Sequence, residues 1–376
     1  MRTVLLYRSF FMSKQDKISN KRLSQAIIKW YRKNARDLPW RRTQDPYRIW
    51  LSEIMLQQTT VRQGADYYLR FLEKFPTIAD LATAPQEAVL KQWEGLGYYS
   101  RARNLHATAQ HIHTELDGKF PTEYAEIIKL KGVGEYTAAA IASFVYGLPY
   151  VVVDGNVLRV MSRLYGLTEP VDLPATKKTI KKLAQALLEE QDPAEFNQSI
   201  MEFGALNCTY KKPSCMYCPL QQDCIAFQKG IAAELPVKSK KIKKRKRYFV
   251  FHLIVDSQQQ VLIQQRGPKD VWQGLYQLPL VERDEPLGQD VALSPLISRL
   301  QLKLRKVSEC HKQLLTHQQL YCWFVVYQSL KPFPKTLEQD LGPDYKVVPR
   351  YQLSKWPFPK VIKAYLEETL PSHKAP

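Results

Sequence analysis

The stretch LKGVGEYTAAAIASFVYGLPYVVVDGNVLRVMSR, residues 130–163, constrains this chain more than any other. It reads as a helix ending at Leu130, a tight Gly132-Val133-Gly134 turn and a second helix from about Glu135 to Tyr146. An apolar extended piece over 150–153 then delivers Asp154 to the mouth of a third helix. Glycine lets the backbone come close to something flat or charged. The unpaired N–H groups that open the second helix make an anion site suited to one phosphate. Taken alone, an ordinary helical hairpin with Asp154 as an N-cap fits these residues equally well.

The rest of the chain narrows the choice. Its 376 residues allow two domains, each with its own core. Lys+Arg 55 against Asp+Glu 36 gives a net charge of +19, which favours a polyanionic partner, nucleic acid first. Residues 238–247 hold eight basic side chains in ten, so one patch stands above a generally basic background. No apolar run of about 18 residues is present, so no membrane helix is expected. Residues 1–12 carry a short hydrophobic section broken by Tyr7 and Arg8, without a small-residue cleavage site. They are expected to be disordered, with Met12 as an alternative start. Four of the six cysteines are clustered, which points to a metal site in a reducing compartment rather than to disulfides.

Residues 14–34 form an amphipathic opening helix, with Ile18, Leu23, Ile27, Ile28 and Tyr31 at mostly helical spacing. A loop containing Arg36, Trp40 and Arg41 follows. Asp45-Pro46 is a helix start, and the helix expected from 47 to about 61 is apolar on nearly every side, with Glu53 in its middle. A carboxyl group there loses hydration, and its raised pKa lets it hold a proton near neutral pH, as a general acid must. The competing reading is a structural Glu53 paired to Arg36 or Arg41. Helices at about 176–190 and 192–204 look like ordinary packing helices. Cys208-x6-Cys215-x2-Cys218-x5-Cys224 brings four thiolates into one compact loop, and zinc is the generic occupant of such a set. Residues 231–247 lack an apolar period and read as an extended basic linker that meets phosphates. From residue 248 the texture is that of strands: a hairpin over 249–265 and a β-rich run at 321–328.

LPWR at 38–41, DPYRIWLSEIMLQQTTV at 45–61, WEGLGYYSRARNLH at 93–106, LKGVGEYTAAAI at 130–141 and VDGNVLRVMSR at 153–163 together resemble the adenine DNA glycosylase (MutY) family. The resemblance runs from about residue 20 to 370. It implies a two-lobed, all-helical helix-hairpin-helix glycosylase domain at 13–230, with the hairpin at 121–146 and an iron–sulfur loop at 208–224. A linker at 231–247 and a Nudix-like α+β domain at 248–370 would follow. The implied cofactor is a [4Fe-4S] cluster on Cys208, Cys215, Cys218 and Cys224, in preference to zinc. The implied substrate is duplex DNA carrying adenine opposite 8-oxoguanine or guanine, processed by a monomer.

The resemblance also assigns residues. Glu53 is the proton donor, Asp154 the anion that stabilises a cationic sugar, and Tyr136 the residue orienting Asp154 or the attacking water. Arg36, Trp40, Arg41, Leu56, Gln58, Thr59, Tyr98, Gly132, Gly134 and Asn156 bind DNA, with Gln58 inserting beside the flipped base and Tyr98 wedging next to the oxidised guanine. Glu202 is the second carboxylate facing the adenine, against the alternative of an exposed-face Glu. Thr316 and His317 belong to the loop that reads the lesion strand, although Leu315 replaces an aromatic of the family's motif. A lysine at position 136 would signal a strand-cutting relative; Tyr136, with Leu158 in the following helix, implies hydrolysis alone, apart from fortuitous trapping of a sugar by Lys131. Residues 272–279 resemble the start of a Nudix domain, but 281–294 lack its glutamate box, so no nucleotide hydrolysis is expected. The rival readings are an endonuclease III-type glycosylase/lyase on oxidised pyrimidines and a non-enzymatic iron–sulfur DNA-binding protein. Expected localisation is cytoplasmic, or nuclear or mitochondrial in a eukaryote.

Overall fold

A computed structural model describes residues 14–239, 244–268, 270–288 and 300–370. The expected disorder of 1–12 and part of the missing Nudix box, 289–294, lie outside the described residues. Helices run in the order α1 (Lys14–Asn34), α2 (Pro46–Leu56), α3 (Val61–Lys74), α4 (Ile78–Thr83), α5 (Gln86–Gln92), α6 (Ser100–Glu115) and α7 (Tyr124–Ile127). They continue as α8 (Glu135–Tyr146), α9 (Gly155–Leu164), α10 (Pro174–Leu188), α11 (Pro193–Leu206) and α12 (Ile225–Gln228). Strands β1 (Arg245–Val255), β2 (Gln260–Gln265), β3 (Tyr276–Gln277), β4 (Leu280–Arg283), β5 (Leu302–Val307), β6 (His311–Leu314), β7 (Gln318–Ser329) and β8 (Tyr345–Pro349) follow, with α13 (Leu337–Leu341) and a closing α14 (Lys360–Thr369).

The chain divides into two compact units, residues 1–58 with 115–240, and residues 59–114 with 241–376. In the first, α1, α9, α10 and α11 bury Ile27, Val157, Met161, Ile180, Leu187, Phe196 and Ile200 in one core. Burial of such side chains contributes roughly 1.5–3 kcal/mol each relative to exposure. Trp30 of α1 meets Phe203 of α11 edge to face at 5.1 Å. Cys208, Cys218 and Cys224 pack against the same core. Near Tyr136 a smaller cluster joins Ala139, Ala140 and Val152.

The second unit joins helices α3–α6 to an eight-stranded sheet whose main path runs β3-β2-β1-β7-β5. β1 and β7 pair in parallel over eleven positions from Arg245↔Gln318 to Val255↔Gln328; the other pairs are antiparallel. α14 stacks Tyr365 on Phe324 of β7 at 3.9 Å. Glu94, buried beyond α5, accepts from Lys91 (2.9 Å), Lys363 (2.6 Å) and the backbone N–H of Phe358 (2.9 Å). Arg103 of α6 donates to the Gln273 carbonyl at 2.7 Å. These long-range bonds fasten the α3–α6 helices to the strand-bearing part, a grouping that no local sequence pattern signals.

Two expectations change. α2 stops at Leu56 rather than near 61, because Gln58 takes a left-handed φ of 57° and Thr60 caps a new helix by accepting from Gln63 N–H. The basic linker ends earlier than expected: β1 already starts at Arg245. Arg247 is buried there, bridging Asp270 (2.6 Å) and Glu282 (2.6 Å), so its charge is neutralised within the fold rather than offered to phosphates.

Candidate active site

Asp45 starts α2 by accepting from the N–H groups of Tyr47 (2.8 Å) and Arg48 (3.4 Å), with Pro46 pre-set in the first turn. Only after this fixed start does Glu53 fall two turns on, among Trp50, Leu51, Ile54 and Met55, itself buried. The Tyr136 hydroxyl donates to its Oε2 at 2.6 Å. Arg36 and Arg41, the partners of the structural alternative, bond elsewhere. Burial pushes the Glu53 carboxyl up to about 7; the Tyr136 hydrogen bond opposes this, and the negative charge of Asp154 adds to it. Glu53 is thereby a carboxyl group that keeps its proton up to about neutral pH, where its two forms are balanced. Tyr136, expected to orient Asp154 or water, instead holds Glu53. Burial and two neighbouring carboxylates raise its own pKa well above the usual value, so it stays a donor.

Tyr136 is placed by the hairpin. Gly132 has φ of 82°, a left-handed turn that a side chain strains, and Gly134 caps α8 with no side chain over its first N–H groups. α7 ends at Ile127, one turn before Leu130. Asp154 caps α9: its Oδ1 accepts from the N–H groups of Asn156 (2.9 Å) and Val157 (2.7 Å), and its Oδ2 from Asn156 Nδ2 (2.7 Å). Burial raises its pKa above the ordinary aspartate value, while these three donors and Arg159 pull it back. Three N–H donors at a helix N-terminus select the ionised form. α11 crosses α9 so closely here that a Cβ on Gly204 would stand 2.7 Å from Asn156 Cβ, which is why glycine follows Phe203.

Leu56, Gln58, Gly134, Tyr136, Asp154 and Leu158 line one cleft of about 1010 Å³, completed by Lys177, Lys178 and Lys181 of α10. Gln58 is exposed at its rim, and Gln57 Nε2 donates to Thr137 Oγ1 at 3.2 Å. Tyr136 and Asp154 line this cleft; Glu53 does not line it, but is bonded to Tyr136, which does, and lies within electrostatic reach of Asp154. The arrangement suits donation of a proton to a leaving group while positive charge is stabilised beside it. Lys131 stands on the preceding turn and is not among the residues lining the cleft.

Both parts of the chain match known families. Residues 51–190 match the family model of HhH-GPD superfamily base excision DNA repair proteins, and residues 250–368 that of the NUDIX domain. The adenine DNA glycosylase of Buchnera aphidicola from Schizaphis graminum is 38% identical over 259 residues, which cover 68% of this chain and 74% of that protein. That of the Baizongia pistaciae symbiont is 35% identical over 80% of this chain and 86% of its own length. The chain belongs to the adenine DNA glycosylase family. The human member is 42% identical over 54% of this chain and 39% of its own. Among solved structures, a thermostable thymine-DNA glycosylase superposes with a TM-score of 0.53 at 30% identity, covering 57% of this chain and all of that one.

Other residues expected at the site of this glycosylase lie in separate clusters. Glu202 is buried, neither on an exposed face nor free. It accepts from Arg36 Nη2 (2.6 Å) and Arg41 Nη2 (2.9 Å) and from the Arg36 backbone N–H (3.0 Å). Burial works to raise its pKa, but the two arginines more than offset it and hold the carboxyl down to about 2. Trp40 is buried in a short 3₁₀ turn beside them and presents no open aromatic face.

In the second unit Tyr98 has φ of 48° and is 45% exposed. Its hydroxyl is hydrogen-bonded to Thr316 Oγ1. Tyr98, Thr316 and His317 line a cavity of about 620 Å³, and Thr316 and His317 sit on the tight loop between β6 and β7, closed by Leu315 N–H to the Gln318 carbonyl (2.8 Å). Thr59 accepts from Arg101 Nη2 at 3.5 Å.

Cys208, Cys215, Cys218 and Cys224 line one pocket with Arg163, whose Nη1 lies 3.3 Å from Cys208 Sγ. Among the described residues no three His, Cys, Asp or Glu side chains converge tightly enough to hold a single metal ion. Four thiols do line that one pocket, and thiolates are the ligands that both zinc and iron–sulfur clusters take. Sequence reasoning missed Lys177, Lys178 and Arg159. The signal present was a run of lysines in the first turns of α10, where the helix dipole disfavours cations.

Proposed function

We propose that this enzyme hydrolyses the N-glycosidic bond of adenine mispaired with 8-oxoguanine or guanine in duplex DNA, without strand cleavage. The single observation that supports the reading is the hydrogen bond from Tyr136, which lines the cleft with Asp154, to the buried Glu53, whose pKa lies near 7 and which feels the Asp154 charge. A duplex cannot present its sugar–base bond to such a cleft, so the adenine must leave the stack, at a cost of a few kcal/mol that a mismatch lowers. Glu53 then donates its proton to the adenine ring and turns a poor leaving group into a good one. Positive charge grows on the sugar, and Asp154 stabilises it, directly or through a bond to the sugar carbon. Glu53, now ionised, accepts a proton from the incoming water, with Tyr136 holding its carboxylate in place.

Gln58 at the cleft rim, and Tyr98 with Thr316 in the second unit, have the exposure and polar tips that inspection of a base step requires. The hairpin carries Tyr136 at the position where a strand-cutting relative would carry a lysine, which favours water over an amine as nucleophile. The four cysteines would hold a [4Fe-4S] cluster, which supplies structural anchorage for the loop and takes no part in the proton transfers above.

The test is release of adenine from a duplex carrying A opposite 8-oxoguanine, read as alkali-labile cleavage of the adenine strand. Cleavage by the unmodified chain and its loss in Glu53→Gln are expected. Undiminished single-turnover release by Glu53→Gln would overturn the assignment, and borohydride trapping on an oxidised-pyrimidine duplex would favour the lyase reading instead.

A further inference from the structure

Asp154 is delivered to the cleft by a segment that is neither helix nor strand. Residues 147–154 join α8 to α9, and among the described residues no β-strand pairs with them. Buried backbone N–H and C=O groups in such a stretch must find partners elsewhere. Two amide side chains provide them. Asn197, fully buried in α11, accepts from the Val152 N–H at 2.9 Å through Oδ1 and donates to the Tyr150 carbonyl at 2.8 Å through Nδ2. Gln185, half-buried in α10, makes the matching pair one residue earlier. Its Oε1 accepts from the Val151 N–H at 3.2 Å, and its Nε2 donates to the Pro149 carbonyl at 2.9 Å. Each amide thus stands where a neighbouring strand would. Val152 packs against Ala139 and Ala140 of α8, in the cluster that Tyr136 adjoins, while Val151, Val153 and Asp154 line the cleft.

We propose that Asn197 is a positioning residue for Asp154, fixing where the segment enters α9 and so aiming the carboxylate at the sugar, with Gln185 as a second tie. This rests on the reading that Asp154 stabilises a cationic sugar. Packing alone would be served by an apolar side chain of similar size; what asparagine adds at a buried position is the pair of hydrogen bonds. The cap formed with Asn156 and Val157 orients the Asp154 carboxylate relative to its own helix. That cap does not set where the start of α9 stands relative to α8, whose Tyr136 holds Glu53. The Asn197 bonds to Val152 and Tyr150 do, because they tie the connection between the two helices to α11. Stabilisation of a developing charge depends on such aim, and a displacement of about 1 Å can cost about 10²-fold in rate.

The experiment compares the affinity of the full chain for two duplexes that carry an abasic analogue opposite 8-oxoguanine. One analogue is an uncharged tetrahydrofuran; the other is a pyrrolidine, cationic at neutral pH. The unmodified chain is expected to prefer the cation. Asn197→Leu is expected to lose most of that preference while binding the uncharged duplex as before, and to release adenine about 10²-fold more slowly in single turnover. Gln185→Ala, a change at a half-buried side chain, is expected to weaken the preference in the same direction by less. If Asn197→Leu does not fold, Gln185→Ala decides alone. Ile27→Ala removes core packing but none of the four hydrogen bonds, and serves as a destabilised control expected to keep the preference. An unchanged preference in the folded Asn197 and Gln185 variants, or an equal loss in the control, would overturn the proposal. Absence of any preference in the unmodified chain would instead overturn the charge-stabilising role of Asp154, and the proposal with it.

Discussion

Glu53 and Glu202 are the same residue type, both buried in helices of the same unit, and their surroundings set them in opposite charge states. Glu53 has a phenol for a partner and apolar walls, and its pKa rises to about 7. Glu202 has two guanidinium groups and a backbone N–H, and its pKa falls to about 2. Burial pushes both upward; what differs is whether a cation is within bonding distance. An acid that must give up a proton needs burial without a cation, and a carboxylate that must stay an anion needs the cation. The same fold supplies both by moving Arg36 and Arg41 to one of them.

Several substitutions set this contrast at risk. The largest effect is expected from Glu53→Gln, a loss of about 10³-fold in single-turnover adenine release, as for removal of a general acid. Asp154→Asn, which keeps much of the helix cap but removes the charge, is expected to cost about 10²-fold in the same assay.

Stability should move the opposite way for the two glutamates. The folded pKa of Glu53 lies above its unfolded value of 4.5, so the folded state binds the extra proton between about 4.5 and 7. Stability therefore falls as pH rises through that window, by up to about 3 kcal/mol at about 1.4 kcal/mol per pH unit. Glu53→Gln is expected to raise Tm at pH 8 and to lose that advantage near pH 4. The folded pKa of Glu202 lies below its unfolded value, so its contribution is present above pH 4.5 and disappears as pH falls toward 2. Glu202→Gln is expected to destabilise the protein by about 2 kcal/mol at pH 7 in urea unfolding, less than a fully buried pair because Arg36 is partly solvated.

The smallest effect comes from Tyr136→Phe. It removes a hydrogen bond that lowers the Glu53 pKa, so the alkaline limb of the rate–pH profile, near 7 in the unmodified enzyme, should move to higher pH. A shift toward lower pH would mean that Tyr136 serves another group.

Local chemistry made much of the site legible. The Asp45-Pro46 start, the glycine turn at 132–134 and the Asp154 cap each depend on residues within four positions, and they stand where the sequence places them. Pairings across long separations were not legible. That Tyr136 serves Glu53 and not Asp154, that Arg36 and Arg41 go to Glu202, and that Arg247 turns inward to Asp270 and Glu282 all depend on tertiary placement. The early end of α2 follows from a competition that periodicity does not register. A threonine at 60 caps the next helix, and Gln58 takes the strained backbone between them. The lysines of α10 look like a solvated face until the cleft shows what they border.

Arg159 and Arg163 leave α9 one and two turns beyond Asp154 and reach the carbonyls of Cys208 (2.8 Å from Arg159, 3.3 Å from Arg163), Thr209 (2.7 Å) and Tyr210 (3.1 Å). The helix that begins with the reactive aspartate is therefore moored to the cysteine loop. Whatever slackens that mooring will be felt at its far end as a misaimed charge, and damage that starts among the sulfurs will register first as sluggish chemistry.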